Sequence, residues 1–133
     1  MANAPVVLVV EDEPLVQHTL CTALTLMGFK TRCADDVDAA LSILSTEPLE
    51  AVSLDIRIPD PKGLQRSGLT VLALLRAMPG HARTPVLVFT GMPLSPQDEE
   101  IARRYDARVF VKPQRYSVVI QELRRLLQKS SAA

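Results

Sequence analysis

Short apolar runs alternate along the chain with longer segments in which apolar residues recur every three or four positions. The short runs are rich in β-branched residues, are typical of buried parallel strands and cover 6–10, 29–34, 51–54, 85–89 and 109–111. The longer segments predict amphipathic helices at 14–27, 36–47, 68–78, 96–105 and 117–128. Five strands alternating with five helices predict an α/β fold with a parallel sheet, right-handed crossovers and helices on both faces.

Polar residues suited to binding or catalysis directly follow four of the five apolar runs. In chain order they are Glu11 and Asp12, Asp55, Thr90, and Lys112. The carboxyl ends of parallel strands meet at one edge of a sheet, where ligands bind in open α/β folds. We therefore expect these side chains to converge on one crevice.

Three carboxylates in one crevice repel one another, and a hard divalent cation relieves that repulsion. Ligands that are all oxygen favour Mg²⁺. A lysine and a hydroxyl opposite the metal provide a charge and a hydrogen-bond donor for a dianionic group. This combination predicts a phosphoryl site in which one carboxylate is free to act as the nucleophile.

Composition narrows the range of partners. The chain has 133 residues, which predicts one domain, and 15 basic residues balance 15 acidic ones. This balance predicts no direct contact with nucleic acid.

No run approaches the roughly 18 apolar residues that span a membrane, and the first residues do not resemble an export signal, so a cytoplasmic location is expected. Cys21 and Cys33 form no metal or redox motif and are expected to be reduced, small hydrophobic residues.

Four motifs together resemble the response-regulator receiver domains of two-component signalling. They are VVLVVEDEP at 6–14, LDIRIP at 54–59, VFTG at 88–91 and VKP at 111–113. The resemblance covers about residues 5–128 and implies a flavodoxin-like, three-layer (βα)5 sandwich with strand order 2-1-3-4-5. We expect residues 1–133 to form a single receiver domain of the single-domain type, with a frayed tail at 129–133.

The resemblance also implies a role for each residue of the crevice. Asp55 corresponds to the phosphoacceptor, and Thr90 to the switch hydroxyl that reaches the phosphoryl oxygen. Lys112 corresponds to the lysine that pairs with the phosphoryl group, with a cis bond to Pro113. Mg²⁺ is expected to bind a set of four ligands, namely Glu11, Asp12, Asp55 and the backbone carbonyl of Arg57.

The implied function is a phosphorylation-dependent switch. Asp55 takes a phosphoryl group from a histidine kinase or a histidine phosphotransfer protein, and the same site later hydrolyses its acyl phosphate. The face built from the fourth helix, the fifth strand and the fifth helix is expected to bind a downstream protein or to form a homodimer. The implied catalysis is limited to this self-phosphorylation and self-dephosphorylation.

Two residues and one segment depart from the family pattern. Glu11 replaces the commoner aspartate. The segment between Asp55 and Gly68 is about five residues longer than usual, and it either gates the site or selects a partner, or is a tolerated surface insertion. Val109 occupies the position where the family usually has an aromatic residue. Alternation along the strand assigns its neighbour Phe110 to the core. Tyr105 or Tyr116 is therefore the possible substitute for the missing aromatic side chain.

Two other functions are compatible with this fold class. One is a pseudo-receiver that binds a protein partner constitutively, without phosphorylation. The complete set of acidic, hydroxyl and lysine residues argues against it. The other is a flavin-binding protein, which needs donors for phosphate after the first strand. The segment 11–14 is acidic there and would repel a phosphate unless a metal intervened.

Overall fold

The computed structural model describes residues 4–112 and 116–131. Five strands form one parallel sheet with the order β2-β1-β3-β4-β5. The strands are β1 (Val6–Val10), β2 (Lys30–Ala34), β3 (Ala51–Leu54), β4 (Val86–Thr90) and β5 (Ala107–Val111). The predicted strand order and flavodoxin-like topology are confirmed.

A helix follows each strand. The helices are α1 (Pro14–Leu26), α2 (Val37–Thr46), α3 (Gly68–Ala77), α4 (Pro96–Arg104) and α5 (Tyr116–Ser131). Side-chain caps begin three of them: Asp36 accepts a hydrogen bond from the backbone of α2, Ser67 from α3 and Ser95 from α4. Helix α5 continues to Ser131, beyond the predicted end at Gln128.

Side-chain alternation along the strands divides the core into two layers. On β1, Leu8 and Val10 face one side, where α2 and α3 pack, whereas Val7 and Val9 face the side covered by α1 and α5. All four side chains are fully buried, as expected for a central parallel strand. The sheet is therefore the middle layer of three, and the carboxyl ends of its strands share one edge, where ligands bind in open α/β folds.

Strand β2 is an edge strand and carries one of the two cysteines. Both cysteines are free; Cys33 is exposed and Cys21 on α1 is partly buried. Their sulfur atoms lie 2.7 Å apart. Within the described segments, none of the helices has the length and apolar character needed to cross a bilayer.

Candidate functional site

Three carboxylates meet at the carboxyl edge of the sheet. Glu11 and Asp12 follow β1, and Asp55 follows β3, which is hydrogen-bonded to β1. Each offers one carboxylate oxygen, and these three oxygen atoms lie within 4.8 Å of one another. Glu11 and Asp55 are buried, whereas Asp12 is exposed to solvent. The sheet thus joins residues that are 43 positions apart in the chain.

The ammonium group of Lys112 lies against this acidic cluster. It donates a 2.6 Å hydrogen bond to Glu11 Oε1 and a longer one, of 3.4 Å, to Asp55 Oδ2. The Lys112 side chain is only 15% exposed, so both contacts are partly shielded from water. One ammonium cannot balance three carboxylates, and the crevice therefore retains negative charge.

Burial is the main reason why the pKa of Glu11 rises to about 7. The hydrogen bond from Lys112 opposes this rise, and the neighbouring Asp55 adds to it. Burial alone would lower the pKa of Lys112. The hydrogen bond to Glu11 and the charge of Asp55 outweigh burial and raise it, so the lysine stays cationic. The crevice therefore favours a bound positive charge.

The donor set fits a hard cation. Carboxylate oxygens are the ligands that Mg²⁺ uses in proteins, and Glu11, Asp12 and Asp55 supply three of them from two adjacent strand ends. The backbone N–H of Arg57 donates to Asp55 Oδ1 at 3.2 Å, so residue 57 lies beside the Asp55 carboxylate. The role of the Arg57 carbonyl as a ligand stays a prediction.

Thr90 ends β4 beside the crevice. This residue is 3% exposed, and its carbonyl accepts a 2.7 Å hydrogen bond from the backbone N–H of Lys112. The two residues predicted to contact the phosphoryl group are therefore joined through their main chains. The predicted cis bond between Lys112 and Pro113 lies outside the described residues.

The two residues near the usual aromatic position face opposite sides of the sheet. Val109 lines a groove between α4 and β5, while Phe110 packs against the core on the α1 and α5 side. The assignment of Phe110 to the core is confirmed. Tyr105 packs against the core layer on the α2 and α3 side, whereas Tyr116 lies edge-on to Phe89, with ring centroids 5.9 Å apart.

The long segment between β3 and α3 is attached to α2, although its residues 61–65 are exposed to solvent. Arg66 Nε lies 2.5 Å from Asp60 Oδ2, and Arg66 Nη2 lies 2.8 Å from Asp38 Oδ1 on α2. The carbonyl of Pro59 also accepts a 3.0 Å hydrogen bond from Val37 at the start of α2. This segment therefore forms an ordered wall beside Asp55.

Two neighbours of the crevice were not predicted from the sequence. Gln17 Nε2 donates to the carbonyl of Glu11 at 2.8 Å and holds the acidic turn against α1. Phe89 places its ring 5.4 Å from Lys112 Nζ, within range of a cation–π interaction. No motif predicted either contact. The position of Phe89, one residue before Thr90 on a buried strand, was the available signal.

The doubly wound parallel sheet and its acidic crevice define a class of α/β proteins that bind at the carboxyl edge. The profile of the family described as the response regulator receiver domain matches residues 7–125. The chain belongs to this family.

Relatives and solved structures agree with that assignment. The regulatory protein AtoC of Escherichia coli is 35% identical over 85 residues, which are 63% of this chain and 17% of AtoC. The chain thus spans about a sixth of that relative. A CheY-like receiver domain protein from Methanospirillum hungatei has a TM-score of 0.86 at 16% identity, covering 97% of this chain and 98% of that one.

A third similar protein is the receiver domain of the Pseudomonas aeruginosa sensor histidine kinase PA1611. Its TM-score is 0.80 at 21% identity, with 94% of this chain and 98% of that chain covered. That structure has a magnesium ion coordinated in its active site cleft. Because the two solved structures share only 16% and 21% of their sequence with this chain, their similarity to it establishes the fold alone.

Proposed function

We propose that the chain is a phosphoacceptor receiver domain, in which Asp55 accepts a phosphoryl group from the phosphohistidine of a partner kinase or histidine phosphotransfer protein. The observation that carries this proposal is the environment of Asp55. Its carboxylate is buried at a strand end, 3.4 Å from the Lys112 ammonium and beside two further carboxylates. We also propose that residues 1–133 act as one domain, located in the cytoplasm with its kinase.

The proposed transfer is an in-line displacement. One Asp55 oxygen forms a bond to phosphorus as the bond from phosphorus to the histidine nitrogen breaks, and the nitrogen keeps that electron pair. Lys112 stabilises the negative charge on the phosphoryl oxygens, and the Thr90 hydroxyl donates a hydrogen bond to one of them. Attack by water on the acyl phosphate would later restore the carboxylate.

Glu11, Asp12, Asp55 and the Arg57 carbonyl are the proposed ligands of Mg²⁺. When bound, this ion supplies positive charge that allows an anionic phosphoryl group to approach an anionic crevice. Without it, the acidic residues after β1 repel the donor. The same repulsion disfavours a flavin phosphate, which needs donors at this position.

The proposed readout is the face formed by α4, β5 and α5. Thr90 and Lys112 lie at the ends of β4 and β5, so movement of either changes the position of the adjacent loops. Val109 lines the groove between α4 and β5 on this face. A downstream protein, or a second copy of the chain, would bind there when Asp55 is phosphorylated.

Intact-mass measurement after incubation with acetyl phosphate tests this proposal. The wild-type chain should gain one phosphate only when Mg²⁺ is present, and Asp55→Asn should gain none. Asp35→Asn is the matched control, because Asp35 is an exposed aspartate that directly follows β2 as Asp55 follows β3. This control should be phosphorylated like the wild type.

Two results would contradict the proposal. Equal phosphorylation of Asp55→Asn would move the acceptor to another residue. Absence of an adduct under every condition would favour the pseudo-receiver alternative, in which the chain binds its partner constitutively.

A further inference from the structure

Two cysteines form a thiol pair away from the acidic crevice. Cys21 lies on α1 and Cys33 on the edge strand β2, and their sulfur atoms are 2.7 Å apart. Alternation along β2 places Cys33 on the α1 side of the sheet, whereas the buried Ala34 next to it faces the α2 side. The pair is therefore produced by the packing of α1 on β2.

The two thiols differ in exposure and in charge. Cys33 is exposed, and the hydrogen bond from Cys21, helped by the charge of Arg32, lowers the pKa of Cys33 to about 7. The hydrogen bond to Cys33 and partial burial raise the pKa of Cys21. Thiolate character and access to solvent together determine thiol reactivity. Cys33 is thus the reactive member, and Cys21 is the neighbour that can resolve it.

We propose that Cys21 and Cys33 form a site of reversible oxidation by hydroperoxides, whose product is an intramolecular disulfide between α1 and β2. In the first step the Cys33 thiolate attacks the peroxide oxygen. The O–O bond breaks, and the departing hydroxide or alkoxide takes a proton from solvent. Cys33 is left as a sulfenic acid.

The second step forms the disulfide. The Cys21 sulfur attacks the Cys33 sulfur, the S–O bond breaks, and the hydroxide leaves as water with the thiol proton of Cys21. One peroxide is reduced by two electrons, and two thiols are oxidised to one disulfide. An external thiol reverses the reaction by exchange.

The product would join the edge strand to α1. A crosslink between residues 21 and 33 closes a short loop in the unfolded chain, which favours the folded state. We therefore expect oxidation to raise Tm by several degrees without requiring phosphorylation of Asp55. This independence separates the inference from the proposed receiver function.

Peroxide treatment of the reduced wild-type chain, followed by intact-mass analysis and thiol titration, tests the proposal. We expect the monomer to lose two hydrogen atoms and both free thiols, and dithiothreitol to restore them. Cys21→Ser should accumulate a sulfenic acid at Cys33 that dimedone traps. Cys33→Ser should react with peroxide at least about tenfold more slowly than Cys21→Ser, because the thiol that remains, Cys21, is the more shielded of the two.

Three outcomes would overturn the proposal. Both thiols could persist after peroxide treatment, the product could be only a disulfide between two copies through Cys33, or Cys33→Ser could oxidise as fast as Cys21→Ser. Circular dichroism of the reduced variants verifies folding. Cys33 is exposed, so its replacement by serine removes no core contact, and Cys21→Ala provides a second variant at the partly buried position.

Discussion

Two loops flank Asp55, and they are attached to the rest of the molecule very differently. The loop at 56–67, between β3 and α3, is fastened to α2 through Arg66, which contacts both Asp60 and Asp38. Most residues of both loops are exposed, so the two loops differ in their attachments and not in their exposure. In the described part of the chain, the one side-chain hydrogen bond of the loop at 91–95, between β4 and α4, is the cap of α4, in which the backbone N–H of Asp98 donates to Ser95 Oγ at 3.1 Å.

This difference shows how an insertion beside a reactive site can be accommodated. The lengthened loop is ordered by charge-assisted hydrogen bonds to a neighbouring helix, so it need not disturb the carboxylate that it borders. The shorter loop follows Thr90 and has few attachments. We infer that one wall of the crevice is rigid and that the other can respond to a phosphoryl group.

The largest expected effect comes from the residue that ends the rigid wall. A Cβ atom on Gly68 would lie 2.1 Å from the carbonyl oxygen of Asp55 and 2.7 Å from Ile56 Cα, and both are backbone atoms. Gly68→Ala should therefore lower the free energy of unfolding by at least about 3 kcal/mol. Urea denaturation of the purified chain measures this loss.

Gly91→Ala is the matched control in the other loop. A Cβ atom at Gly91 would meet nothing within 4 Å, and the change should alter the free energy of unfolding by no more than about 0.5 kcal/mol. If Gly68→Ala and Gly91→Ala lowered the free energy of unfolding equally, the loops at 56–67 and 91–95 would not differ in how tightly they pack.

The second-largest effect on stability is expected from replacing Arg66, which attaches the loop at 56–67 to α2. Arg66→Ala removes both contacts and leaves the Asp60 side chain, only 3% exposed, without its charged partner. Tm should fall by a few degrees, and chymotrypsin should cleave faster at the exposed Leu64. Arg57→Ala, an exposed arginine in the same loop, should leave both measurements near wild-type values.

The contribution of Arg66 should also depend on pH. The hydrogen bond from Arg66 lowers the pKa of Asp60 below its ordinary value of 3.8. Stability from this pair is therefore present above that value and is lost as the pH falls through the lower pKa of the folded state. The difference in urea midpoint between wild type and Arg66→Gln should shrink as the pH falls below about 4. A difference that stays constant would assign the effect to packing.

The smallest expected effect is in the loop at 91–95. Ser95→Ala removes the cap of α4 and should cost about 1 kcal/mol of unfolding free energy. Cleavage within 56–67 should not change, because Ser95 makes no contact with that segment among the described residues. Faster cleavage there would mean that the two walls are coupled.

Most of the fold was predictable from the sequence because strand period, helix period and turn residues are local signals. The run 6–10 and its acidic end specify both a buried strand and the position of its carboxylates. The contact of Arg66 with Asp38 spans 28 residues, and it depends on how the long loop folds back on α2. No periodicity encodes such a contact.

The same limit applies to the cysteines and to the end of α5. Cys21 and Cys33 meet because of the angle at which α1 packs on β2, and their spacing matches no motif. The sequence predicted Glu11, Asp55 and Lys112 as neighbours because strand ends in a known order share an edge. It did not predict the 2.6 Å contact from Lys112 to Glu11, which depends on side-chain conformation.

Amide hydrogen exchange before and after phosphorylation with acetyl phosphate and Mg²⁺ compares the responses of the two loops. We expect peptides covering 91–95 to change their exchange several-fold, peptides covering 56–67 to keep theirs, and Asp55→Asn to show neither change. Unchanged exchange at 91–95 in the phosphorylated wild type, or a response confined to 56–67, would contradict a phosphoacceptor crevice with one rigid and one responsive wall.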